Sequence, residues 1–184
     1  MKIAIAVTGA SGSIYVQQLF SKLQELSGQV TEVSVVWSDN AKTVWAEELG
    51  NEDYDAYPFK VWNKNDFYAP FASGSSDYAA LIICPCSMGT LGRIAAGISD
   101  NLITRAADVM LKERRKLICM IREMPYSLVH INNMKAVTEA GGIICPASPS
   151  FYHKPETITA AVQTVTDRMI NLLGVVSGGY RWGQ

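Results

Sequence analysis

Five short, nearly continuous apolar runs divide the chain, and segments with helical periodicity lie between most of them. The runs are IAIAV (3–7), VSVVW (33–37), LIIC (81–84), KLICMI (116–121) and GIIC (142–145). Runs of this kind are typical of strands that are buried on both faces of a parallel sheet. Helices are expected at 13–27, 39–49, 88–97, 100–114, 127–140 and 155–173. This alternation predicts an α/β fold with a doubly wound, mostly parallel sheet.

Residues 50–76 depart from this alternation. They contain many aromatic residues and two prolines, without a clear period. A long segment without secondary structure is uncommon in a compact domain unless it has a function. We therefore expect either a loop over a binding site or a contact between subunits, with the aromatic stretch 54–71 in that contact.

The first apolar run leads into TGASGSIY, from Thr8 to Tyr15. A strand, a glycine turn and a helix start favour anion binding, because the free amides and the dipole of the helix point at the ligand. The full dinucleotide fingerprint needs a third glycine, but after Gly9 and Gly12 none follows until Gly28. A dinucleotide is therefore disfavoured, while a flavin mononucleotide phosphate and an empty turn both remain open.

Composition limits the size and class of the protein. The chain has 184 residues, of which 48% are hydrophobic and 18% are charged, with a formal net charge of -1. This length suits a single domain over 1–184 and is too short for separate cofactor and substrate domains. The charge gives no drive towards nucleic acid or anionic membranes, and the short apolar run at the N-terminus is neither a signal peptide nor a membrane span. A cytoplasmic protein without nucleic-acid or membrane partners is expected.

Metal binding and histidine-based catalysis have little support in the sequence. The cysteines lie mostly at the ends of apolar runs and lack zinc-site spacing, so buried thiols are expected rather than metal ligands or disulfides; they are Cys84, Cys86, Cys119 and Cys145. The two histidines, His130 and His153, have no Cys or Ser partner at a nucleophilic spacing. No metal site is predicted.

Polar residues collect instead where the strands end. Doubly wound sheets bind ligands beyond the carboxyl ends of their strands. Hydroxyl groups and an arginine fork would suit a single phosphate there, and the candidates are Ser11, Ser38, Ser87, Thr90 and Arg122. Each hydroxyl alone could equally belong to an ordinary turn or cap. Arg105 and Lys112 form a second cationic group, on one face of a predicted helix. The alternative interpretation is that both side chains lie on a solvated helix surface.

Longer motifs resemble a known family. The segments ASGS, PCSMGTLGRIAAGISDNLITRAADVMLKERRKL, IRE-P and PSFYHKP, with TGASG-x-x-Y at the start, closely resemble the UbiX-type flavin prenyltransferases over nearly the whole chain. The resemblance implies a flavodoxin-like Rossmann subunit in a dodecamer of trimers, with FMN between subunits. It also implies a metal-independent reaction that joins the dimethylallyl group of dimethylallyl phosphate to N5 and C6 of reduced FMN. The product, prenylated FMN, then serves a UbiD-type decarboxylase.

The family motifs imply site residues by position. For FMN they imply Gly9, Ala10, Ser11, Ser38, Ser87, Met88, Gly89, Thr90 and Arg122. For the prenyl phosphate they imply Arg105, Lys112, Glu123, Tyr152 and Arg168, with Trp182 as a shield for the allyl group. The catalytic set comprises Ser11, Glu48 for proton transfer near the flavin, and Glu123 as a proton acceptor or as an orienter of the basic groups.

The sequence departs from the family pattern at Val16, Ser76 and Met124, where Gly, Phe and Thr are common. None of these positions is a proposed phosphate ligand, but the preferred prenyl donor stays open between the monophosphate and the pyrophosphate.

Two other functions also stay open: an FMN-dependent decarboxylase of a small acid, and a non-catalytic FMN carrier. The decarboxylases of the wider superfamily use a histidine near the first turn, which this chain lacks there.

Overall fold

The computed structural model describes residues 1–179 and 183. Its centre is a parallel sheet made of β1 (Lys2–Val7), β2 (Glu32–Trp37), β3 (Lys60–Trp62), β4 (Tyr78–Cys86), β5 (Lys116–Ile121) and β6 (Ile143–Pro146). The helices are α1 (Ser13–Glu25), α2 (Ala41–Leu49), α3 (Met88–Ala95), α4 (Leu102–Lys112), α5 (Leu128–Glu139) and α6 (Ile158–Leu173). Short 3-10 turns lie at Asp53–Asp55 and Pro70–Ala72. The predicted α/β class is confirmed.

The strands lie in the order β3-β2-β1-β4-β5-β6. Without β3, the five strands expected from the apolar runs have the flavodoxin-like order 2-1-3-4-5, and β3 extends the edge to the Rossmann order 3-2-1-4-5-6. The direction of winding reverses between β1 and β4. Ligands of doubly wound sheets bind at this switch point, so a ligand site is expected at the carboxyl ends of β1 and β4.

The edge strand β3 lies inside the segment 50–76 and was not predicted as a strand. Its three residues, KVW, are exposed or half-buried, so the segment lacks the buried apolar run from which the other strands are recognised. β3 pairs parallel to β2, and the Trp62 indole donates to Ser34 Oγ at 3.0 Å. Part of this segment is therefore an ordered sheet edge, while its role in a subunit contact stays a prediction.

Two apolar layers cover the two faces of the sheet. One layer packs α1, α2 and α6 against the sheet and includes Val16, Trp45 and Met169. The other packs α3, α4 and α5 and includes Leu91, Met110 and Val137. Because strand side chains alternate between the faces, β1 contributes Ile3 and Ile5 to the first layer and Ala4 and Ala6 to the second. The sheet therefore separates α4 from α6.

The cysteines, the possible metal ligands and the helices bear on the expectations from composition. All four cysteines are buried thiols, as predicted, and burial raises the pKa of Cys84. Over residues 1–179 and 183, no group of three or more His, Cys, Asp or Glu side chains could hold a metal ion. Within the same part of the chain, every helix is too short or too polar to cross a membrane.

Candidate functional site

Thr8 holds the two sides of the switch point together. Its hydroxyl donates to the Pro85 carbonyl at 2.6 Å and accepts from the Ser87 amide at 2.8 Å. The residue is only 2% exposed, so these bonds are shielded from water. Sequence reasoning missed Thr8, because a threonine that follows an apolar run is an ordinary turn residue. Its bonds fix the end of β1 against the start of α3.

The turn after β1 packs directly against the turn after β2. A Cβ atom on Gly9 would lie 2.8 Å from the Cβ of Asn40, which is closer than side chains tolerate. The two turns can therefore approach this closely only because residue 9 is glycine. Ser38 is half-buried and its amide donates to the Val7 carbonyl at 2.9 Å. Two of the predicted FMN residues, Gly9 and Ser38, thus lie on neighbouring turns. Asn40, like Thr8, is a structural residue of this site that the sequence did not reveal.

The N-terminus of α1 holds an anion from the chain itself, the carboxylate of Glu48. The Gly12 amide donates to its two oxygens at 3.1 and 3.0 Å, and the Ser13 amide donates at 2.7 Å. Gly12 has φ 129°, a left-handed conformation that favours glycine. Glu48, predicted to act near the flavin, therefore lies at the turn that contains Ala10 and Ser11.

The hydrogen bonds to Glu48 also set its charge. Desolvation alone would raise the pKa of this carboxyl group, but the hydrogen bonds from Ser11, Gly12 and Ser13 outweigh it. The net effect lowers the pKa of Glu48 from its ordinary value of 4.5. The carboxylate is therefore negatively charged at neutral pH and is held by charge-assisted bonds.

Arg122 reaches the first turn from the end of β5. Its Nε donates to the Ser11 carbonyl at 3.0 Å, although the two residues are 111 positions apart in the chain. This bond does not involve the two terminal guanidinium nitrogens, which together can bind a phosphate as a fork. The neighbouring Glu123 is half-buried and accepts from the Met124 amide at 3.1 Å. The structure thus brings Ser11, Arg122 and Glu123 to the same edge.

Ser87 caps the N-terminus of α3. Its Oγ accepts from the Thr90 amide at 3.3 Å and donates to the Thr90 hydroxyl at 3.0 Å. This contact shows the helix cap that the sequence offered as one alternative, and phosphate binding by the same hydroxyl groups stays a proposal. The predicted FMN residues Met88 and Gly89 form the first turn of α3, which contains no acidic residue. This second helix N-terminus at the switch point therefore differs from the first, where Glu48 supplies a charge.

The residues predicted to hold the prenyl phosphate fall into two groups. Arg105 and Lys112 share a face of α4, as their spacing predicts: the Arg105 Nε donates to the Ala72 carbonyl at 3.0 Å, and Lys112 lies beside Gly74. Arg168 lies on α6, across the sheet from α4. A single chain therefore does not bring these cations together.

Arg168 lines a cavity of about 790 Å³ beyond the carboxyl end of β6. The walls come from α1, α6, the loop after β6 and residues 177–179, and they include Cys145, Ser148, Ser150, His153 and Asp167. Tyr152 belongs to the same loop and is 73% exposed. Trp182, the predicted shield for the allyl group, lies outside the described residues. The cavity therefore provides two cations, Lys22 and Arg168, and several hydroxyl groups on this side of the sheet.

Comparisons with known proteins show similarity over nearly the whole chain. The sequence profile of the family described as Flavoprotein matches residues 1–174. The flavin prenyltransferase UbiX of Methanocaldococcus jannaschii is 41% identical over 189 residues, which cover 100% of this chain and 99% of that protein. The crystal structure of AnUbiX in complex with FMN and dimethylallyl pyrophosphate has a TM-score of 0.92 and 37% identity, and covers 100% and 97% of the two chains. The dodecameric FMN-dependent Ubix-like decarboxylase from Escherichia coli O157:H7 has a TM-score of 0.91 and 38% identity, with 98% and 99% covered.

Proposed function

This chain belongs to the Flavoprotein family, among its UbiX-type flavin prenyltransferases, and we propose that it joins the dimethylallyl group of dimethylallyl phosphate to N5 and C6 of reduced FMN. Two hydrogen bonds at the switch point of the sheet carry the proposal. Arg122 donates to the Ser11 carbonyl, and the Ser87 amide donates to the Thr8 hydroxyl, so three of the predicted FMN residues are held at the first turn.

The donor set at the switch point suits FMN. One guanidinium group and the hydroxyls of Ser38, Ser87 and Thr90 match a single phosphate, which accepts several hydrogen bonds and carries negative charge. The contact between Gly9 and Asn40 holds the turn after β1 against the turn that contains Ser38, so the donors of both turns lie at the same edge of the sheet. When bound, reduced FMN would supply the two nucleophilic atoms, N5 and C6, to which two different carbons of the dimethylallyl group are joined.

The cationic residues are assigned to the other substrate. Breaking the C–O bond of an allylic phosphate leaves negative charge on the phosphate and positive charge on the allyl group. Preorganised cations and a phenol hydroxyl stabilise the departing phosphate where a metal ion would otherwise do so, and the residues proposed here are Arg105, Lys112, Tyr152 and Arg168. Glu123 either accepts a proton or orients these basic groups, and Glu48 with Ser11 is proposed to handle protons near the flavin.

The separation of these cations implies that a second subunit completes the site. Since α4 and α6 lie on opposite faces of the sheet, Lys112 of one protomer would have to meet Arg168 of another. We propose a homo-oligomer, a dodecamer built from trimers, as the E. coli relative is dodecameric. Exposed apolar side chains at the start of α5 support such a contact: Met124, Leu128 and Val129 are 87%, 70% and 64% exposed.

The reaction product is proposed to leave the enzyme for use elsewhere. Prenylated FMN would be consumed by a UbiD-type decarboxylase, and both proteins would act in the cytoplasm. The AnUbiX relative was crystallised with dimethylallyl pyrophosphate, so the donor assay must include the monophosphate and the pyrophosphate.

Mass spectrometry of the flavin tests this function against its alternatives. The protein is incubated with reduced FMN and either prenyl donor, and a gain of one dimethylallyl group by the flavin is expected. A decarboxylase would leave the flavin mass unchanged and release carbon dioxide from a small acid, and a carrier would do neither. An unchanged flavin mass with both donors would overturn the proposal.

A further inference from the structure

The carboxylate at the N-terminus of α1 points to a role beyond proton transfer. We infer that Glu48 is a specificity-determining residue: its carboxylate closes the N-terminus of α1 to phosphate, so that the switch point takes a mononucleotide flavin and rejects the pyrophosphate of a dinucleotide. This inference rests on the proposed binding of FMN and adds the residue that excludes a dinucleotide flavin from the site.

The position of the carboxylate gives the first reason. Rossmann folds with the strand order 3-2-1-4-5-6 bind the dinucleotide pyrophosphate at the N-terminus of their first helix. Here the amides of Gly12 and Ser13 already donate to Glu48, at 2.7 to 3.1 Å. A phosphate at this position would have to displace charge-assisted hydrogen bonds or lie beside a like charge, and both are unfavourable.

The helix that carries Glu48 is firmly anchored. Trp45 lies one turn earlier on α2, is 1% exposed, and its indole donates to Asn51 Oδ1 at 3.0 Å. Gly50 ends the helix with φ 68°, a left-handed cap. The backbone on both sides of Glu48 is therefore held in place, and its carboxylate is presented to α1 by a rigid element.

The second helix N-terminus at the switch point lacks such a charge. Ser87 caps α3 with a neutral hydroxyl, and the first turn of this fully described helix contains no acidic residue. Arg122 lies at the same edge. One phosphate is therefore favoured beside α3, while a second phosphate at the α1 amides, which Glu48 occupies, is opposed. This distinguishes FMN, with one phosphate, from FAD, with two.

Titrations of FMN and FAD test the inference, with dissociation constants taken from the quenching of flavin fluorescence. The variants are Glu48→Ala, Glu48→Gln and, as a matched control, Glu47→Ala, which removes the same charge from the exposed neighbouring position on α2. In the wild type, FAD is expected to bind at least tenfold more weakly than FMN. Glu48→Ala should reduce this ratio about tenfold, the scale of one charge-assisted hydrogen bond. Glu48→Gln should reduce it about threefold, because the charge is lost but a hydrogen-bond acceptor remains.

Each outcome separates the inference from the proposed function. An unchanged FAD-to-FMN ratio in both Glu48 variants, with FMN still bound, overturns the inference alone. An equal change in Glu47→Ala also overturns it, since the effect would then be one of net charge. If Glu48→Ala does not fold, the isosteric Glu48→Gln decides. A wild-type protein that does not bind FMN contradicts the proposed function itself.

Discussion

At the scale of single residues, the switch point depends on side chains that reach it from distant parts of the chain. Arg122 is the main cation there. Arg122→Ala should remove a charge-assisted interaction with the FMN phosphate worth about 1.5–3 kcal/mol, and FMN affinity should fall about tenfold or more. Fluorescence titration measures the change. Lys135→Ala is the control, because it removes one positive charge from an exposed position on α5. Unchanged FMN affinity in the Arg122 variant would refute this assignment.

Lys112 and Tyr152 are assigned to the prenyl phosphate rather than to FMN. Lys112→Ala and Tyr152→Phe should each lower the rate of prenylation by about two orders of magnitude or more, as when one preorganised charge-stabilising donor is deleted. FMN should still bind, because the proposed FMN residues are untouched. The measurement follows flavin mass with time in protein already loaded with FMN. Wild-type rates would contradict the role of these residues, and a loss of bound FMN would mean that they serve the other phosphate.

The sequence reveals chemistry-bearing residues more readily than the residues that hold them. Ser11 and Arg122 could be proposed because hydroxyls and arginine bind phosphate wherever strands end. Thr8 and Asn40 could not, since their roles are a buried hydrogen bond and a close contact with Gly9 that only the folded chain creates. The partner of Glu48 was equally hidden, because the α1 amides lie 35 and 36 positions away.

At the scale of elements, the contact between the first two βα turns can be tested with one added methyl group. Gly9→Ala would place a Cβ against Asn40, whereas Gly28→Ala, the control, meets nothing within 4 Å. Overpacking of this kind costs about 1–3 kcal/mol, so Gly9→Ala should lower the denaturation midpoint and weaken FMN binding. Denaturant unfolding and FMN titration measure both effects. Equal behaviour of the two variants would show that the turns can move apart.

The buried strands were predicted well from the sequence, whereas the first residues of some strands and helices were predicted less well. Five strands carry apolar residues on both faces and were recognised from their short continuous apolar runs. β4 begins at Tyr78, before the predicted 81–84, because Tyr78 already pairs with Lys2 of β1. Its buried hydroxyl also bonds the Ser34 hydroxyl at 2.7 Å. Helix α6 begins at Ile158 rather than 155 because Thr157 caps it, accepting from the Ala160 amide at 3.0 Å.

At the scale of the whole molecule, the sheet topology decides which residues can share a site. The sequence could group Arg105 with Lys112 by helical spacing, but it could not place either relative to Arg168. The parallel winding puts α4 on one face and α6 on the other. A site that uses all three cations must therefore be built between protomers.

Mixed oligomers test this shared site. Lys112→Ala and Arg168→Ala should each be inactive alone, because every site in the oligomer lacks one cation. When equal amounts are unfolded together and refolded, about a quarter of the sites should combine both native residues and regain activity. Light scattering confirms that the mixture has the size of the wild-type oligomer. Restored activity is not expected if each protomer supplies its own Lys112 and Arg168, and its absence would contradict a shared site.

Whether this chain prenylates flavin is tested most directly by measuring flavin mass and free phosphate in one reaction. The wild-type protein is given reduced FMN and dimethylallyl phosphate in the presence of EDTA, so that the chain's own cations must stabilise the leaving group. Each flavin is expected to gain one dimethylallyl group, with one phosphate released for each prenylated flavin. Unmodified flavin in this reaction, and again when dimethylallyl pyrophosphate replaces the monophosphate, would contradict the proposed function. Dependence of the reaction on added metal would contradict the role given to Arg105, Lys112 and Arg168.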